Sequence, residues 1–170
     1  MPQLTWITPS FAVTAALVPD DFAALRAQGI RCVISNRSDD EQADQLSASA
    51  EASLAWREGM LFRHVPAAKH ELFTDAIVDG MAHALQGCEG AIVAHCKSGQ
   101  RSAILWAAAT ARTQPVAHVM QALSAAGFDL EMIRDDLDAQ ADRKHWQHPA
   151  PYSQSPDVVD LELAKSQAAA

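Results

Sequence analysis

Ala91-Ile92-Val93-Ala94-His95-Cys96-Lys97-Ser98-Gly99-Gln100-Arg101-Ser102-Ala103-Ile104-Leu105-Trp106-Ala107-Ala108-Ala109 is the stretch whose reading decides the fold. The apolar run 91–94 reads as a short buried strand, and the apolar run from Ser102 reads as a buried helix over 102–112. Between them a glycine-bearing loop has a thiol at its entrance and an arginine at its exit. A loop that enters a helix N-terminus aims several backbone N–H groups at one point. The helix dipole adds positive potential there, and Arg101 can supply a two-pronged cationic donor. Such surroundings favour thiolate over thiol, which makes Cys96 a candidate nucleophile at neutral pH. A buried, inert cysteine would gain nothing from a Gly, an Arg and a Ser in this order.

Working outward, strand and helix signals alternate. Thr8 to Leu17 has the β-branched and aromatic content of a strand or a pair of short edge strands. Pro19, Asp20 and Asp21 open a helix that Gly29 closes, giving 19–28. Ile30 to Ser35 is a short apolar strand, and the polar loop Asn36-Arg37-Ser38-Asp39-Asp40 follows its C-terminal end. Ligand sites in parallel α/β sheets gather at such ends, so Asn36 and Arg37 are candidates for the rim of a Cys96 pocket, with a solvated turn as the competing reading.

Further elements follow in the same alternation. A helix is expected over 47–58, capped by Ser47 or Ser49 and ended by Gly59. Leu61 to Pro66 is a strand near a sheet edge, and Thr74 caps a helix over Asp75–Leu85. After 102–112, Thr113-Gln114-Pro115 breaks the chain before a helix over Pro115–Ala126 and a short one over 129–138. This alternation predicts a three-layer α/β/α fold with a mainly parallel central sheet.

The chain has 170 residues, enough for one domain with a full core, here expected over 1–140. From 141 to 170 the composition shifts to Pro, Ser, Gln and a final Ala run, the pattern of a loosely ordered tail. The His145-x-x-His148 pair in that tail lacks neighbouring thiol or carboxylate ligands and carries no metal assignment. Thirteen basic against twenty-one acidic residues give a net charge of −8, which argues against nucleic acid and anionic membrane as partners. A small anionic substrate remains compatible, because a local cradle of amides and one arginine is positive inside a negative protein. Cysteines stand at 32, 88 and 96, without framework spacing, and Met1 to Trp6 has no leader pattern. Together these fit a cytoplasmic protein. Cys32 and Cys88 could resolve an oxidised Cys96, although plain core and loop roles are the simpler reading for both.

His95-Cys96-x-x-Gly99-x-Arg101-Ser102 resembles the active loop of cysteine-dependent phosphatases and rhodaneses. Trp6-Ile7-Thr8-Pro9, Leu17-Val18-Pro19-Asp20-Asp21, Val33-Ile34-Ser35-Asn36-Arg37 and Arg63-His64-Val65-Pro66 narrow the match. Over about residues 5–138 the chain resembles the phosphatase-like domain family of beta-lactamase hydrolase-like proteins. The resemblance implies a dual-specificity-phosphatase type of fold and no cofactor. Some relatives are fused to a metallo-hydrolase domain, so a separate metallo-hydrolase or sulfur-metabolism partner is implied. Two departures bear on mechanism. Tyrosine-phosphatase loops place five residues between Cys and Arg, whereas Lys97, Ser98, Gly99 and Gln100 alone intervene here, a length that resembles rhodaneses. Lys69 stands where dual-specificity phosphatases usually carry an acid, leaving His70 as the first choice of proton donor.

The expected roles follow. Cys96 is the nucleophile, Arg101 holds the anion, Ser102 donates to the thiolate, and Gly99 lets the backbone turn close to the ligand. Ser98 and Gln100 line the cradle, Lys97 attracts anionic substrate, and His95 supports the loop from behind. Three functions stay open on the sequence: a phosphoester hydrolase working through a phosphocysteine, a sulfurtransferase working through a Cys96 persulfide, and a non-catalytic anion-binding module.

Overall fold

The computed structural model describes residues 1–143. Its five strands are β1 (Thr5–Thr8), β2 (Phe11–Thr14), β3 (Ile30–Ser35), β4 (Leu61–His64) and β5 (Ala91–His95). Its helices are α1 (Asp21–Ala27), α2 (Ala48–Arg57), α3 (Asp75–Gln86), α4 (Gln100–Ala111), α5 (Val116–Ala125) and α6 (Arg134–Asp142), the last preceded by one 3₁₀ turn at Glu131–Ile133. The sheet order is β1-β2-β5-β3-β4, parallel except for the antiparallel β1–β2 pair. Strand β5 therefore lies in the middle, and the loop that leaves it is flanked by the ends of β2 and β3.

Side-chain alternation along the strands divides the core in two. Phe11, Val13, Ile34, Ile92 and Ala94 face α3 to α6 and pack with Val78, Met81, Leu105, Leu123 and Leu137. Phe11 stacks on Trp106 of α4, ring centroids 5.7 Å apart. Ala12, Val33 and Val93 face the other way and pack with Phe22 and Leu25 of α1 and Ala55 of α2. The three-layer α/β/α fold is thus present, and the sheet is buried on both faces, as a parallel sheet requires.

Several boundaries differ from expectation for physical reasons. The pair of strands predicted over Thr8–Leu17 begins at Thr5, and β2 is an interior strand with all four residues buried, because β5 covers the edge that β1 leaves open. Helix α4 starts at Gln100 and not Ser102, since Gly99 in the left-handed conformation supplies the N-cap. Helix α6 runs on to Asp142, past the predicted end at 138, held where the Gln140 amide donates to Phe73 O and accepts from Arg112. Thr74 occupies the N-cap of α3, but its hydroxyl donates backwards to Glu71 O and does not cap a helical amide. Ser47 does cap α2, accepting from Ala50 N–H at 3.3 Å. The predicted 1–140 domain boundary falls inside α6, two residues short of its end. Of the predicted 141–170 tail, residues from 144 on, including His145 and His148, lie outside the described residues. None of the described helices is long and apolar enough to cross a membrane.

Candidate functional site

The site is built at the C-terminal end of the sheet, where β5 stops at His95 and the chain turns into α4. Cys96 is buried at the base of this turn, and Gly99 N–H donates to its Sγ at 3.2 Å. That bond depends on the glycine. Its φ is +90°, and a Cβ there would meet the Thr14 carbonyl oxygen at 3.3 Å, so loop and β2 end are in contact. Lys97, Ser98 and Gln100 are exposed around the rim. Ser102 is fully buried in the first turn of α4, and its hydroxyl makes no hydrogen bond with Cys96 or any other described group, which corrects the expected Ser102-to-sulfur donation.

Arg101 projects from the first turn of α4, but its guanidinium is already engaged. Nη1 donates to Asn36 O at 2.8 Å and to Glu41 Oε1 at 2.5 Å, while Nη2 donates to Glu41 Oε2 at 3.2 Å. This fork-on-fork pairing was absent from the sequence reading, which gave both prongs to a bound anion. The hydrogen-bonded Arg101 holds the Glu41 carboxyl below its ordinary range, opposed by partial burial. Glu41 in turn raises the Arg101 guanidinium further above its ordinary range, with the nearby Cys96 acting in the same direction.

Asn36 and Arg37 follow β3 at the C-terminal end of the sheet, and both are buried. Asn36 is fully buried, and its side-chain amide donates to Val65 O at 3.0 Å while its backbone N–H donates to His95 O at 2.9 Å. It thereby joins the ends of β3, β4 and β5 to Arg101. Arg37 is buried as well; it donates to Gln42 Oε1 at 2.8 Å, and its Nε lies 3.6 Å from Glu41 Oε2. Its carbonyl oxygen bonds His64 Nε2 at 2.7 Å. Glu41 thus stands between two arginines, a carboxylate where a tetrahedral anion would find the same partners.

His95 takes the place expected behind the loop, with a partner that the sequence did not suggest. Its fully buried ring has Nε2 3.2 Å from both carboxylate oxygens of Glu51, itself buried on α2. His70, on the loop after β4, has a side chain 83 % exposed, and its acidic neighbour is Glu71 at 3.8 Å. Cys32 and Cys88 form a disulfide with each other, so neither is free to resolve Cys96. In register Cys32 lies opposite Ile92, four residues before Cys96, roughly 13 Å along the strand. Among the described residues no three His, Cys, Asp or Glu side chains converge as a metal site.

Comparison with known proteins gives this arrangement its context. A solved protein of Neisseria meningitidis z2491, described as a putative phosphatase, superposes with a TM-score of 0.68 at 24% identity, covering 80% of this chain and 96% of the other. A kinase associated phosphatase superposes with a TM-score of 0.62 at 14% identity, covering 87% of this chain and 97% of the other. At these identities the likeness is one of fold. Beta-lactamase hydrolase-like proteins of Xylella fastidiosa (strain Temecula1) and Agrobacterium fabrum (strain C58) are 31% identical over 101 residues and 33% identical over 86. The matches take in 59% and 51% of this chain but only 23% and 20% of those longer relatives. The family model for the beta-lactamase hydrolase-like protein, phosphatase-like domain, matches residues 3–113, and the chain belongs to that family.

Proposed function

We propose that the chain is a cysteine-dependent hydrolase of small anionic phosphoesters. The observation that carries the reading is the Gly99 N–H donating to Cys96 Sγ at the mouth of a twelve-residue helix, with Arg101 in that helix's first turn. Amide donors and a helix N-terminus are the surroundings that stabilise thiolates, and donors of the same kind hold oxyanions. In the first step the thiolate attacks phosphorus, and the S–P bond forms as the P–O bond to the leaving group breaks. The departing oxygen takes a proton. Water then cleaves the S–P bond, which releases inorganic phosphate and restores the thiolate.

Protonation of the leaving oxygen is assigned to His70, on the loop after β4. The expected signature of His70→Asn is a loss of roughly 10²-fold or more in kcat for an alkyl phosphate, with little change for an aryl phosphate whose leaving group needs no acid. Equal rates for both substrates in wild type and variant would hand that step to water.

The four-residue interval between Cys96 and Arg101 favours a second reading. In it the thiolate attacks the sulfane sulfur of thiosulfate, an S–S bond forms, and sulfite leaves; a thiol acceptor then removes the outer sulfur. No proton donor is needed. The experiment that decides is turnover of an aryl phosphate, and of thiosulfate plus a thiol, by wild type and Cys96→Ser. Phosphate release abolished by the substitution supports the hydrolase. Thiosulfate turnover abolished by it replaces that reading with the transferase, and anion binding without turnover of either leaves a binding module. A metallo-hydrolase or sulfur-metabolism protein is the proposed partner, since the matched region is under a quarter of the curated relatives' length.

A further inference from the structure

The Glu51–His95 pair is the buried charged cluster that the proposed reaction leaves unused. Strand alternation explains its placement. Ile92 and Ala94 of β5 face α4, Val93 faces α1 and α2, and His95 shares the parity of Val93, so its ring enters the second layer and meets α2. Both partners are nearly without solvent contact, at 4 % exposure for Glu51 and 0 % for His95. The neighbours of His95 in strand register are Thr14 of β2 and Ser35 of β3, both uncharged, and Glu51 is the charged group that contacts its ring among the described residues.

A carboxylate taken out of water is tolerated when it is paired, and removing one partner of such a pair leaves a costly unpaired charge. With His95 Nε2 equidistant from both Glu51 oxygens, the contact fixes the orientation of the ring. A doubly protonated His95 would make the pair neutral as a whole, with its positive member one residue from Cys96 and its negative member a layer away. Nδ1 of His95 is buried without a described partner, so the Glu51 contact is the hydrogen bond that sets the ring.

We propose that Glu51 is a positioning residue for Cys96, holding His95 protonated and oriented directly behind the nucleophile. This rests on the reading of Cys96 as the reactive thiol. Glu51→Gln keeps the size and an accepting oxygen but removes the countercharge. Without it the buried ring is left neutral, and the positive charge beside the sulfur is lost.

The test is the pH profile of Cys96 alkylation by iodoacetamide, followed by mass on the folded protein, with Cys96→Ser as the blank. For Glu51→Gln the profile is expected to move to higher pH by about one unit, so that alkylation at pH 6 slows roughly tenfold. Glu51→Asp is expected to recover part of the shift. Glu51→Gln combined with His95→Gln is expected to behave as His95→Gln alone, because the effect passes through the ring. A Glu51→Gln profile superimposed on wild type, with only the melting temperature lowered, would overturn the proposal and leave the pair a structural one. Failure of the underlying reading looks different: wild-type Cys96 would then alkylate at pH 6 no faster than a free thiol of ordinary reactivity. If Glu51→Gln does not fold, Glu51→Asp and His95→Gln carry the same comparison.

Discussion

Gly99 meets two demands at once. Its left-handed φ suits glycine, and its Cα lies against the Thr14 carbonyl at a distance that leaves a methyl group no room without movement. Gly99→Ala is therefore expected to cost about 1–3 kcal/mol in urea unfolding and, by displacing the amide that reaches Sγ, to slow Cys96 alkylation in whatever remains folded. Equal stability and equal alkylation in the variant would show that the loop tolerates another path. The Glu41–Arg101 pair gives a second prediction at this scale, with its sign set by the carboxyl. Glu41 titrates below its unfolded value near 4.5, so its contribution is complete above that value and is lost as pH falls through the lower folded one. The stability gap between wild type and Glu41→Gln should be present at pH 7 and close between about pH 4.5 and the acid limit. Since the pair sits at the surface and keeps partial contact with solvent, a gap of about 1 kcal/mol that shrinks with salt is expected. A gap that widens in acid would contradict the assignment.

At the scale of elements, what was readable from sequence depended on whether the signal was local. The strand–glycine–helix order around Cys96 shows itself within a dozen residues, and β5, α4 and the Cys96–Gly99 contact follow from it. Asn36 and Arg37 could be proposed from their place after an apolar strand. Glu41 could not, because an acid within the run Asp39-Asp40-Glu41 looks solvated until Arg101, sixty residues away, is seen to reach it. Helix α2 shows a sharper inversion: Trp56 is 78 % exposed while Glu51 is buried, the reverse of what hydropathy predicts. That choice is made by His95, which comes from another element. His70 is legible only by its place in the loop after Pro66, and in space its imidazole stands largely exposed beside Glu71.

The Cys32–Cys88 bond ties β3 to the connection between α3 and β5 and closes a loop of 56 residues. A loop of that length confines the unfolded chain enough to be worth about 4 kcal/mol in the chain-entropy account. Reduction, or Cys88→Ala, should lower the urea midpoint accordingly. Thiol titration of the denatured, unreduced protein should find one free sulfhydryl. Three would show that the bond does not form in solution.

On the scale of the whole molecule, the sheet order decides how the protein can fail. Strand β5 is hydrogen-bonded on both sides and covered by helices on both faces, while β1 and β4 take the margins. Fraying therefore begins at those margins, and the middle opens only when everything opens. Whatever chemistry the sulfur at its tip performs should vanish along the same temperature curve as the far-ultraviolet signal, with no earlier shoulder. A molecule that lost its activity well before its helices would be one whose working loop is hung from the rim and not from the keel.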